Sequence, residues 1–503
     1  MESIEHSNIP QAGKFYLSSV WTYISVIGIA LIAGVLFDRI GPRPALALIV
    51  AVPFVLLTIR NFKIACCAVI FVLPLVQTIL LSNPESSFSG IRLMICLLAL
   101  TGISVFFSLA LRPDQVKLPR LPVYLILYLA VLFLGAVNGA RFFDETPDYL
   151  QALSSVKEKT AASYMVATLF VPVFVVCTAL TAGALYANTG DSRWVIFPVV
   201  LSAVILASIV YFFALKSGAS LSQLSGQDSR QYLSGSGQHA NEIGLTLNMA
   251  LAITLFVFAG ATGWRSKIVL GCCVLIQAGA VFLTFSRGAY IGSVTIIVYF
   301  LITQKGKPWT RLALLGVLAG AILVMPGSIL QRTTNQSANQ DIDELSSGRV
   351  DEIWLPLIPS VLESPLIGRG HGSILWSEAA KRKEILPVGH PHSAYLAALL
   401  DTGIVGTAII LAFLAHAWHT FWKLRVMAKS KMLASFFQGA SACIPLLLIQ
   451  GVTDDAFMPR YTQAFLWIAY GAALGLLSRS TVKRSVNHHS PSGRTTTIGR
   501  DEK

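Results

Sequence analysis

Residues 346–406 read SSGRVDEIWLPLIPSVLESPLIGRGHGSILWSEAAKRKEILPVGHPHSAYLAALLDTGIVG. The stretch opens polar around Arg349, becomes amphipathic between prolines, passes a glycine-rich turn and runs through His392 straight into an apolar helix. It belongs to a loop, residues 331–392, that is unusually long for a connection between membrane helices. Such loops serve as lids or small subdomains.

Working outward, the chain is far too apolar to be soluble: of its 503 residues 54% are hydrophobic and only 13% charged, and the mean hydropathy is +0.66. Apolar runs long enough to cross roughly 30 Å of hydrocarbon recur, and in lipid such runs must be helices to satisfy their own backbone. The expected spans lie near 19–37, 44–59, 64–81, 91–111, 121–140, 161–181, 194–215, 242–262, 268–284, 288–303, 311–330, 393–421, 434–451 and 461–478. The fold class is therefore an all-α polytopic membrane protein, with about 12–14 transmembrane helices because 44–59 and 288–303 are short enough to be re-entrant. Along the chain this divides into an N-terminus (1–18), an N-terminal bundle (19–215), a second transmembrane region (216–330), the large loop (331–392), C-terminal helices (393–478) and a polar basic tail (479–503) expected to be disordered.

Lysine and arginine gather in alternate short connections, which favours cytoplasmic N- and C-termini. Residues 216–241, 285–288 and 331–392 then face outward. No removable leader is expected from the first 18 residues, and the first span is expected to target the chain. The net charge of +13 is scattered between spans rather than collected in one domain, which argues against nucleic acid. All seven cysteines lie in apolar runs without metal-ligand spacing and read as packing residues.

Within the loop, Ser346 or Ser347 is placed to cap a helix starting near Arg349, with Asp351 and Glu352 in its first turn. Ile353, Trp354, Leu357, Ile358, Val361 and Leu362 give it an apolar face suited to a bilayer surface, and Pro356 and Pro359 kink or break it. Gly368 and Gly370 would let backbone approach a ligand closely. Gly403 and Gly406 are expected to permit close helix contact. His371, His390 and His392 with Glu378 or Glu384 could form a zinc set, but no regular element fixes their geometry, and no metal is expected.

Several of these stretches together resemble the signature of the O-antigen ligase and polymerase superfamily. They are Ser347-Gly348-Arg349 with Trp354, Pro365-Leu366-Ile367-Gly368-x-Gly370, His392-x-x-x-Leu396 and Gly403-x-x-Gly406. Thr284-Phe285-Ser286-Arg287-Gly288-Ala289 is similar to the family's S-R-G segment, and RQYLSGSGQHAN, residues 230–241, to its entry into another helix. One departure is Ser393, where many members carry asparagine; serine still offers a hydrogen bond.

The resemblance implies a membrane glycosyltransferase at the periplasmic face of the bacterial inner membrane, with no cofactor or metal. Its donor would be an undecaprenyl-pyrophosphate-linked glycan, and its acceptor lipid A-core or another glycan. The residue chemistry suits that reaction. Arginine remains charged and presents a planar fork to phosphate oxygens, so Arg287, Arg349 and Arg230 are candidates for the diphosphate. Histidine titrates near working pH, and His392 is the candidate base for the acceptor hydroxyl. His390, Ser393, Asn241, Gly368 and Gly370 are candidate supports. The alternative is a transporter or flippase of lipid-linked sugars, which would place charges near mid-bilayer in paired broken helices.

Overall fold

The computed structural model describes residues 55–58, 61–78, 90–111, 117–153, 156, 159–218, 232–233, 235–236, 238–304, 348–453 and 457–488. These residues are helical and carry no strand. In chain order the longer helices are α1 (Phe62–Val72), α2 (Gly90–Leu111), α3 (Val123–Phe142), α4 (Ala161–Thr189), α5 (Arg193–Lys216) and α6 (Ala240–Gly260). They continue with α7 (Trp264–Leu283), α8 (Arg287–Thr303), α9 (Leu355–Glu363), α10 (Ala394–Met427), α11 (Lys431–Gln450) and α12 (Ala464–His488). Among the described residues eight helices are long and apolar enough to cross a membrane, and α1 and α8 are shorter apolar helices. The expected spans 19–37 and 311–330, and all of 44–59 except 55–58, lie outside the described residues.

The packing follows from which helices are apolar on all sides. α6 is buried along most of its length, and it lies against α7, α8 and α11 as the centre of the bundle. The opposite case is α7, with 17% buried, whose Ile268, Val269 and Leu275 face outward as lipid-contacting residues must. α12 lies along α4, where Gly471 and Gly475 meet the Ala179 and Gly183 carbonyls so closely that a side chain would not fit. α12 runs on to His488, beyond the end expected at 478.

Buried amides tie α8 to its neighbours. Asn248 of α6 donates to the Ala289 carbonyl at 2.7 Å and accepts from the Ser293 hydroxyl at 2.8 Å. Gln438 of α11 donates to the Thr303 carbonyl at 3.4 Å at the other end. Within hydrocarbon such bonds compete with no water, so they specify where α8 sits.

The large loop builds a small core of its own. Ile353, Leu357, Ile374, Leu375 and Trp376 pack with Phe143, Leu150 and Tyr164, so the loop is seated on the ends of α3 and α4. The expected apolar face of α9 thus divides: Ile353 and Leu357 are buried, whereas Leu355, Ile358 and Leu362 are exposed beside Leu366 and Ile367.

Candidate functional site

The sequence predicts one continuous helix after His392, but α10 is broken at Gly403, where φ is 63° and ψ is −171°. Gly403 is therefore a kink rather than a point of close helix contact. Breaking a helix in a membrane strands backbone groups that nothing in lipid can satisfy. The loop after α9 supplies them. The Leu400 and Asp401 carbonyls accept from the Arg369 and Gly370 N–H groups, both at 2.9 Å. The Ile404 and Val405 N–H groups donate to the Pro365 and Leu366 carbonyls at 2.8 and 3.2 Å. Two intrahelical bonds are replaced by four to the loop.

This docking explains the glycine-rich turn. Gly368 lies against the Asp401–Thr402 backbone and Gly370 against Gly139 of α3, with φ of 66° and 88°. The expected close approach is to helix backbone rather than to a ligand. Arg369 is pinned at 2.8 Å to Glu363, lies 4.0 Å from Glu145 and sits over the Phe142 ring. Lys381 bridges Glu145 and Glu378 nearby; the hydrogen bond to Glu145 raises its pKa, while that from Lys381 lowers the Glu378 carboxyl.

His392 sits on the rim of this construction with φ of 53°, a left-handed conformation that costs a non-glycine residue about 1–3 kcal/mol. Bonds on both sides hold it there. Trp354 Nε1–H donates to the Pro391 carbonyl at 2.8 Å, and the Ala394 N–H donates to the Gly451 carbonyl at 2.7 Å. The His392 N–H points to His390 Nδ1 at 3.4 Å, and the two rings meet edge-on with centroids 4.0 Å apart. Ser393 takes the N-cap of α10, its hydroxyl accepting from the Leu396 N–H at 3.3 Å.

The S-R-G segment has the same construction. Phe285 carries φ of 48°, and Ser286 caps α8 by accepting from the Ala289 N–H at 3.3 Å. The Ser286 hydroxyl donates to Asn241 Oδ1 at 2.7 Å, which joins the two upstream motifs at the amino ends of α6 and α8. His239 caps α6 in a reciprocal arrangement with Glu242 and is accounted for structurally. Arg287, half-buried, opens α8.

Residues 450–453, at the end of α11, bring these parts together. Gln450 Nε2 donates to the Gly288 carbonyl at 2.7 Å, the Gly451 carbonyl holds Ala394, and the Thr453 carbonyl accepts from Arg349 at 3.2 Å. Arg349 occupies the N-cap position of a π-helical turn, Val350–Trp354, without side-chain capping; Ser346 and Ser347 lie outside the described residues. Arg349 and Trp354 stand at the two ends of that turn, one bonded to the Thr453 carbonyl and the other to the Pro391 carbonyl. Arg230 also lies outside the described residues.

Arg287, Arg349 and His392 thus stand where the amino ends of α6, α8 and α10 converge. Helix amino ends present unsatisfied N–H groups and positive dipole, which together with two guanidinium groups suit a multiply charged anion. Among the described residues no three His, Cys, Asp or Glu side chains are grouped to hold a metal ion; Glu378 of the conjectured zinc set is engaged by Lys381.

Sequence reading did not single out Gln450, Asn248 or Asp401. Each is a polar side chain within an apolar span, and that alone is a signal of function or specific packing in membranes.

Residues 272–411 match the family model described as O-Antigen ligase. The matched segment contains α8, the loop and the start of α10, and it supports the O-antigen ligase and polymerase superfamily and an O-antigen ligase-like membrane glycosyltransferase. Comparison with curated proteins finds no match.

Proposed function

We propose that this member of the O-antigen ligase and polymerase superfamily transfers a glycan from undecaprenyl pyrophosphate to a hydroxyl acceptor at the periplasmic face of the inner membrane. The observation that carries this reading is the junction at residues 450–453, which ties the helix starts bearing Arg287 and His392 and the side chain of Arg349 to one segment.

In this reading the acceptor oxygen forms a bond to the anomeric carbon as the bond from that carbon to the diphosphate breaks. His392 takes the hydroxyl proton, and the electron pair of the broken bond leaves on the diphosphate. Arg287 and Arg349, with Arg230 as a further candidate, offset its charge, aided by the helix amino ends. A positioned base contributes about 10²- to 10⁴-fold, so alignment and charge stabilisation supply the rest. The left-handed backbone at Phe285 and His392 fits a preorganised site, because the surrounding bonds hold both residues before substrate arrives. The exposed Leu355, Ile358, Leu362, Leu366 and Ile367 give the loop an apolar surface on which a lipid-borne donor can enter at the bilayer boundary. Nothing in the reaction as written requires a metal.

Deleting the gene and resolving surface glycolipids and carrier-linked glycans tests the reading. Long chains stranded on the polyprenyl carrier mean a ligase, and single repeat units mean a polymerase. Build-up of units on the cytoplasmic side would sink the transferase reading in favour of a flippase.

A further inference from the structure

α6, α8 and α10 begin at the candidate site and so end at the opposite face of the bundle, where two connections meet. Gly260, the last residue of α6, lies against the Lys431 carbonyl and the Ser435 side chain at the start of α11, so closely that a side chain would not fit. Gln438 of α11 donates to the Thr303 carbonyl at the end of α8, and Trp418 Nε1–H of α10 donates to the Tyr299 hydroxyl oxygen at 3.3 Å. The α6–α7 and α10–α11 connections are therefore neighbours.

Their charge is of one sign. Arg265 and Lys267 open α7, Lys423 and Arg425 close α10, and Lys429 and Lys431 flank Ser430, the N-cap of α11. All but the half-buried Arg425 are exposed. The chain carries no Asp or Glu between residues 243 and 340 or between 402 and 453, and among the described residues none of these cations forms an ion pair. Like charges gathered on one surface repel one another until anions are supplied.

Depth identifies the anion. Lys423 stands about 20 residues past the break at Gly403, or about 30 Å along a helix, which is one thickness of hydrocarbon. Trp264 and Trp418 are 69% and 42% exposed beside the cations, as side chains that sit among headgroups are. Arg265 lies over the Trp264 ring at 5.5 Å and Arg425 over the Trp422 ring at 4.8 Å, which holds both guanidinium groups at the level of the rings.

We propose that this face, opposite the candidate site, binds the headgroup phosphates of anionic phospholipids in the adjoining leaflet. Positive loops orient a membrane chain wherever they occur. Two of them side by side, free of acid and flanked by tryptophan, also make a surface that a layer of phosphates neutralises. The inference does not depend on the transfer reaction.

Native mass spectrometry of the purified full-length protein, given equal amounts of phosphatidylglycerol and phosphatidylcholine, tests it. The wild type should retain phosphatidylglycerol with about tenfold preference, and the preference should fall as salt is raised. The variant Arg265→Gln/Lys267→Gln/Lys429→Gln/Lys431→Gln should retain the two lipids about equally. Lys267→Arg/Lys429→Arg/Lys431→Arg keeps the charge and should keep the preference. If the fourfold variant does not reach the membrane, Lys429→Gln/Lys431→Gln should still lower the preference about threefold or more. Equal retention of both lipids by the wild type, or an undiminished preference in the glutamine variants, overturns the proposal. Displacement of phosphatidylglycerol by inorganic phosphate at the lipid's concentration would overturn it in favour of a site for free anions.

Discussion

Gln450 donates from Nε2 to the Gly288 carbonyl at 2.7 Å, and the next residue's carbonyl receives the Ala394 N–H. The last residue of α11 and its C-cap therefore set the spacing between the S-R-G helix and the helix that follows His392. Replacing Gln450 with Leu removes a buried donor, worth about 1–3 kcal/mol, and should lower kcat about tenfold or more while the protein still reaches the membrane. Unaltered turnover of the purified variant would show that the junction does not position the site.

Arg349→Lys tests the fork. Lysine can still reach toward the Thr453 carbonyl, but a point charge cannot reproduce a planar guanidinium on two phosphate oxygens. Transfer should fall about tenfold or more. Normal surface glycan would mean that Arg349 only ties the loop to the end of α11.

The φ of 53° at His392 makes a pair of substitutions informative. His392→Ala and His392→Gly should both abolish transfer, since each removes the base. They should differ in stability, with glycine more stable than alanine by about 1 kcal/mol because it carries no Cβ penalty in that conformation. Melting temperatures of the two variants, measured beside their activity, separate the base from the backbone. Retained surface glycan in either variant would rule out His392 as the base.

For Gly403→Ala a folding defect is expected. The new Cβ would meet the Leu366 backbone, and φ of 63° is unfavourable for alanine. A loss of about 1–3 kcal/mol or more should appear as reduced membrane yield and a lower melting temperature. A variant as stable as wild type would mean that α10 can straighten.

Much of the fold was legible because hydrophobic runs of membrane length admit one backbone solution. The runs around Leu245, Val269 and Leu447 could be nothing but helices. The kink at Gly403 was not legible, because the apolar run resumes directly after Asp401-Thr402-Gly403 and the groups that satisfy the break come from residues 365–370. Residue type alone made Arg287, Arg349 and His392 candidates, and the structure ties their segments to residues 450–453. That wiring was not legible. Gln450 and Gly288 are 162 residues apart, and a lone amide at a span's end does not announce its partner. Asp401 was overlooked although an acid inside an apolar span signals function by itself. Ser393, where many members of the family carry asparagine, uses its hydroxyl to cap α10.

The four bonds between residues 365–370 and the broken turn of α10 limit what this loop can do during a reaction cycle. Swinging it away would break all four bonds and leave eight backbone groups, four N–H and four C=O, to find other partners. This part of the loop is consequently a fixed wall of the site and not a door.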